Sequence, residues 1–195
     1  MKFTQIPAST FEELQLNAGV LLANFDPSTA TVDNENILGA TSGGVKFTDT
    51  PTYEDFGADI DNCPKNTKEL KRITEREIKI SGTYLTVDTA LAKALIAAAD
   101  IDSSDTTKIK PRDILNDADF TDLWWVGDYS DKNGNTNGGY IAIHLINALS
   151  TDGFSLQSSD KAKGQYAFGY TAHYSIANID QVPYEMFIKA GTAEA

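Results

Sequence analysis

A single cysteine, Cys63, stands in the whole chain, so an internal disulfide and a cysteine-based metal site are both ruled out. Stability must come from packing or from neighbouring subunits. Only two histidines are present, His144 and His173, and both fall in segments that read as strands, where a shared metal would need carboxylates to join them. Serines 81, 155 and 175 occur without a nucleophile elbow, and no Cys-His pairing is suggested for Cys63 beside Pro64. The reading is a non-enzyme with no catalytic residue, no cofactor and no bound metal.

Bases are scarce as well. The 16 Lys and Arg face 28 Asp and Glu, a formal charge of −12, which repels nucleic acid and argues against tight DNA or RNA binding. Long apolar runs are missing, the longest lying near residues 94–99, well short of the roughly 20 residues that span a bilayer. The N-terminus MKFTQIPAST has no signal-peptide core. A soluble protein made in the cytoplasm, with no membrane binding, is the expectation. Glycine-rich GATSGG at 39–44 lacks the Lys-Ser/Thr ending of a phosphate loop. The Asn-rich stretch 130–138 fails as a calcium loop, because no frame supplies both the sixth-position glycine and the twelfth-position glutamate.

With 41% hydrophobic and 23% charged residues, the chain can build a core, and its length favours one domain over 1–195. Residues 11–25 read as extended around Asn17-Ala18-Gly19, 26–40 as a loop, and 41–48 as a strand entered through Gly43-Gly44. Two prolines, many acids and weak periodicity make 49–68 a long loop, whose apolar Tyr53, Phe56 and Ile60 suggest an arm that docks on something. Residues 72–87 form a long strand: Ile78, Ile80, Gly82 and Tyr84 share one face, Glu77, Lys79, Ser81 and Thr83 the other. Asp88 is a plausible N-cap for a helix over 89–99.

Short strand character appears at 108–110, and 111–119 reads as an acidic linker with room for one helical turn. Strands at 121–129 and 139–149 flank the 130–138 turn as a hairpin. A short strand follows at 154–156. Residues 164–178 alternate throughout, with Tyr166, Phe168, Tyr170, Ala172, Tyr174 and Ile176 on one face. Residues 179–195 read as a C-terminal arm, apolar enough through Tyr184, Met186, Phe187 and Ile188 to dock against a neighbour. Strands of about 11–16 residues exceed the usual 5–6, and the sum is a mainly β fold, an antiparallel sandwich or barrel with one packed helix.

Four segments in this order, NAGVLL (17–22), GATSGGVKF (39–47), YEDFGADIDNCPKNTKELKR (53–72) and EIKISGTYLTV (77–87), resemble the major tail, or tail tube, proteins of bacteriophages infecting Gram-positive bacteria. Beyond residue 90 the likeness is of element order only. The resemblance implies a tail-tube type β-barrel assembly of stacked, hexameric rings, with a polar and often acidic lumen through which DNA passes without specific binding. It implies as partners further copies of the chain and other tail proteins (tape measure, terminator, baseplate or distal tail), and as location the virion tail, assembled in the host cytoplasm. It would make Glu77, Lys79, Ser81 and Thr83 the lumen face, and the 49–68 loop with Tyr53, Phe56 and Ile60 the contact to an adjacent subunit or ring. Two other readings stay open: a β-sandwich binding module for glycans or proteins, with the aromatic strand and Asn-rich turn as its site, and the inner tube of a phage-tail-like bacteriocin or contractile injection system.

Overall fold

The computed structural model describes residues 5–129 and 138–192. Its frame is an antiparallel sheet. In chain order the strands are β1 (Gln15–Leu22), β2 (Thr41–Asp55), β3 (Lys71–Tyr84), β4 (Ala99–Ile101), β5 (Ile109–Pro111), β6 (Thr121–Tyr129), β7 (Gly139–Ser150), β8 (Ser155–Gln157), β9 (Gln165–Ala172) and β10 (Tyr184–Lys189), with helix α1 (Thr89–Ile96) after β3. Eight strands form one sheet in the order β1-β6-β7-β9-β3-β2, with β10 added to β7 and β8 to β9, while β4 and β5 pair separately. Among the described residues the sheet is not closed into a barrel.

Apolar side chains on one face of the sheet, among them Ile78, Ile80, Tyr84, Trp125, Ile143, Leu145, Phe168 and Tyr170, gather with Leu91 and Leu95 of α1 into the main core. The helix is there because Asp88 caps it, accepting from the Leu91 amide at 2.7 Å, and because Leu91 and Leu95 fall one turn apart on the buried side. It stops earlier than the alanine run suggests: Ala97 adopts a left-handed φ of 68°, and Ala99 is already a strand residue. A smaller cluster, Leu22, Phe25, Trp124, Val126 and Ala142, lies on the opposite face of β6 and β7, with Ala30 and Ile37 of the 23–38 segment packed against it. The Asn17-Ala18-Gly19 stretch is a bulge within β1, where the register slips between Leu16 and Val20. Gly19 is required there, since its φ is +68° and a Cβ would meet Val126 O and the Trp125 ring.

Several elements differ from their sequence reading. The strand expected over 41–48 runs on to Asp55, so the segment linking it to β3 is 56–70 and not 49–68. Pro51 misled because it removes a backbone donor, but β2 is the last strand of the sheet, where proline is tolerated. Asp49, which also argued for a loop, is neutralised by Arg76 and accepts from the Tyr184 hydroxyl at 3.0 Å. β9 ends at Ala172, so Tyr174 and Ile176 leave the aromatic face and are exposed. Much of the presumed C-terminal arm is strand β10, paired with β7 of the same chain from Tyr184↔Leu145 to Lys189↔Tyr140. The β6–β7 pairing matches the expected hairpin; residues 130–137 of its turn, and with them the tested calcium frames, lie outside the described residues.

Candidate assembly surface

The four residues expected on the wet face of β3 do share one face. Cross-strand partners carry it sideways: Glu77 opposes Thr50, Lys79 opposes Thr48 and Ser81 opposes Lys46 on β2, while Lys79 opposes Thr171, Ser81 opposes Gly169 and Thr83 opposes Ala167 on β9. The result is a three-strand surface dominated by hydroxyls. Its charges are balanced, with Lys46 and Lys79 against Glu77 and Asp152. Asp152 reaches this surface from the turn after β7 and forms an ion pair with Lys79, crossing β9 at Gly169, where any Cβ would collide with its carboxylate. Nothing in the sequence pattern marked Asp152, because the contact joins residues 73 positions apart.

Toward the 56–70 segment the hairpin of β2 and β3 leaves the body of the sheet. β9 accompanies β3 only from Tyr84↔Tyr166 to Lys79↔Thr171, and among the described residues no strand pairs with the other side of β3 over 71–78. A groove of about 680 Å³ opens there, between Ile73–Glu77 on one wall and Ala172, Tyr174 and Ile179 on the other. Among the described residues no strand pairs with the outer side of β2 either. The ribbon therefore presents backbone donors and acceptors on both sides, as edge strands do.

At its end sit the three apolar anchors. Tyr53 lies on β2 opposite Ile73, Phe56 opens the connecting segment and Ile60 lies within it; they are 56%, 57% and 52% exposed. The segment is nonetheless folded. Asp55 ties it down, its carboxylate accepting from the Asn66 amide at 2.7 Å and the Gly57 amide at 3.0 Å, and Phe56 N bonds Leu70 O at 3.1 Å. The Asn66 amide above all, then the Gly57 amide, with Lys71 and Lys65 adding charge, hold the Asp55 carboxyl below its ordinary value of 3.8. Such a carboxylate stabilises the folded form above that ordinary value, and the contribution is lost as pH falls through the lower folded value. Asp55→Asn is therefore expected to reproduce the acid effect at neutral pH, speeding hydrogen exchange of the Gly57 and Asn66 amides while the β6–β7 amides stay protected. Unchanged exchange at those two amides would refute the clasp.

The histidines do not come together. His144 stacks on Trp124 with centroids 4.0 Å apart and lies between Asp122, 3.1 Å from Nε2, and Glu185. His173 packs edge-on against Phe120 and its Nδ1 is 3.2 Å from Asn147 O. In the core, burial pushes the Tyr170 hydroxyl up to about 12 and the Tyr84 hydroxyl beyond it, which keeps both rings neutral members of the apolar cluster. Cys63 is half-buried in the 56–70 segment, its Sγ 3.5 Å from Thr67 Oγ1.

Comparison with known proteins leaves the chain on its own evidence: no family model and no curated protein matches it. No helix among the described residues is long and apolar enough to cross a membrane.

Proposed function

We propose that the chain is a structural subunit that assembles with copies of itself into stacked, six-membered rings forming the tail tube of a bacteriophage. The observation that carries this reading is the open end of the β2–β3 ribbon, a folded element whose two edges pair with no further strand among the described residues and whose Tyr53, Phe56 and Ile60 stay more than half exposed. Isolated globular proteins hide or blunt such edges, and closing several copies into a ring removes them. The balanced hydroxyl surface of β2, β3 and β9 is the lumen face in this reading, with Glu77, Lys79, Ser81 and Thr83 at its centre. A conduit for DNA benefits from a wall that neither attracts phosphates strongly nor offers base contacts, and the Lys79–Asp152 pair keeps one of the two lysines on that wall compensated.

The test is negative-stain microscopy and sedimentation of the purified protein over a range of concentration and salt. Rings or tubes roughly 100 Å across are expected for closure of six domains of this size. A monodisperse monomer under every condition overturns the proposal. In a tube, a reconstruction placing Ile78, Ile80 and Tyr84 toward the lumen would overturn the face assignment alone.

A further inference from the structure

Past Asp49 and Arg76 the β2–β3 ribbon is held at its root alone. Among the described residues, every hydrogen bond, ion pair and ring contact of residues 50–75 runs within the ribbon and its connecting segment, from Thr74 on Thr52 O to Lys71 over the Tyr53 ring. The pairing of β3 with β9 ends at Lys79↔Thr171, and the groove of about 680 Å³ opens between Ile73–Glu77 and residues 172–182. The ribbon is thus a lever with room on one side. At about 3.4 Å per residue, β2 from Asp49 to Asp55 reaches about 20 Å, so a change of about 20° at the root carries the tip about 7 Å.

One polar cluster sits at that root. Asp49 Oδ2 accepts from the Tyr184 hydroxyl of β10 at 3.0 Å and pairs with Arg76. Asp49 lies opposite Ile78 and Phe47 opposite Ile80, and Arg76 precedes those two isoleucines on the buried face of β3. The charged side chains are accordingly only 24% and 18% exposed, Arg76 first. Burial above all, then the bond to Asp49, raises the Tyr184 hydroxyl above its ordinary value of 10, which keeps it a donor.

A largely buried ion pair in an apolar row is a weak source of stability, because desolvation offsets its attraction and apolar side chains of like volume fill such a place as well or better. Direction is what the bonds add. The Tyr184 ring packs on Phe47 with centroids 5.3 Å apart, a contact that a phenyl ring would keep. Two bonds to one carboxylate oxygen, by contrast, fix where β2 and β3 stand relative to β10 at the place where the ribbon leaves the sheet.

We infer that Asp49, Arg76 and Tyr184 form a latch that sets the angle between the β2–β3 ribbon and the body of the subunit, with the hinge where β3 parts from β9. Freeing the latch lets the ribbon swing toward the groove. The device belongs to the single subunit, goes beyond the proposed assembly and is tested without it. Nitroxide labels at D59C in the connecting segment and Q157C on β8, both exposed positions, are placed in a C63S background. Double electron–electron resonance on the unassembled fraction from size exclusion then reads the angle as a distance distribution. With the latch intact, one narrow distribution is expected. Y184F, which loses the bond and keeps the ring, and the apolar variant D49L/R76M/Y184F are each expected to widen it at least twofold while melting stays at or above that of the parent. A merely stabilising cluster would lower melting and leave the width alone. Unchanged width in Y184F overturns the latch, as does a parent distribution already that wide or a widening that comes only with a fall in melting; should the triple variant fail to fold, Y184F alone decides. An unchanged width leaves self-assembly standing, and absence of rings or tubes leaves the latch standing.

Discussion

A chain in which residues 57–69 are replaced by an Asn-Gly pair is expected to fold and to remain monomeric at every concentration. The geometry permits the excision, because Asp55 opposes Lys71 and Phe56 N already bonds Leu70 O, which leaves the two strand ends spaced for a two-residue turn of the type that Asn-Gly favours. Shortening the connection lowers the entropic cost of closing the hairpin by about 1.7 kcal/mol, offsetting the lost internal contacts of the segment. The main core contains none of the removed residues. Melting temperature should therefore move by a few degrees at most while the assembled fraction falls to background in sedimentation and micrographs. Tubes of wild-type length from the shortened chain would refute the role given to the segment.

The largest loss of stability is expected from Phe168→Ala. Phe168 is 2% exposed, sits with its ring centroid 4.3 Å from that of Tyr84 and 5.7 Å from that of Tyr170, and fills the space above Gly82, where even a methyl group would touch it. Removing a buried phenyl group costs about 3–5 kcal/mol, the lost transfer energy plus the cavity left behind. For a chain of this size that corresponds to roughly 10 °C or more in melting temperature. Because Ile80, Tyr170 and the α1 leucines belong to the same cluster, the change should also lower the cooperativity of unfolding near the helix. Tyr53→Ser is the contrast: at an exposed position it should leave melting within about 0.5 kcal/mol of wild type. Equal destabilisation by the two would show that the core has been misplaced.

What could be read from residues alone were elements whose signal is local. The alternation over Glu77 to Tyr84 and over Tyr166 to Ala172 identified both faces of two central strands, and Asp88 before an Ala/Leu run located the helix start. The end of that helix was not legible, since a left-handed Ala97 has no side-chain signature. β2 beyond Thr48 was hidden by Pro51 and its acids, whose compatibility with a strand depends on edge position and on Arg76 and Tyr184, both remote in sequence. β10 was hidden for a related reason: its apolar residues looked like a surface for a neighbour, and only the sheet order revealed that the neighbour is β7 of the same chain. The candidate lumen residues were legible as a face because period two is a backbone property. Asp152, Lys46 and Thr171, which complete that surface, come from strands and turns that only the tertiary fold brings alongside.

The Asp55 clasp has a kinetic consequence. A segment already fixed by the Gly57 and Asn66 amides presents one shape to whatever it meets, so association does not wait for a disordered arm to fold and little ordering entropy is lost on contact. Its rate is then set by collision and orientation, about 10⁵–10⁷ M⁻¹s⁻¹ for proteins without long-range steering. In the proposed assembly the speed of association thus traces to one carboxylate at the end of a strand.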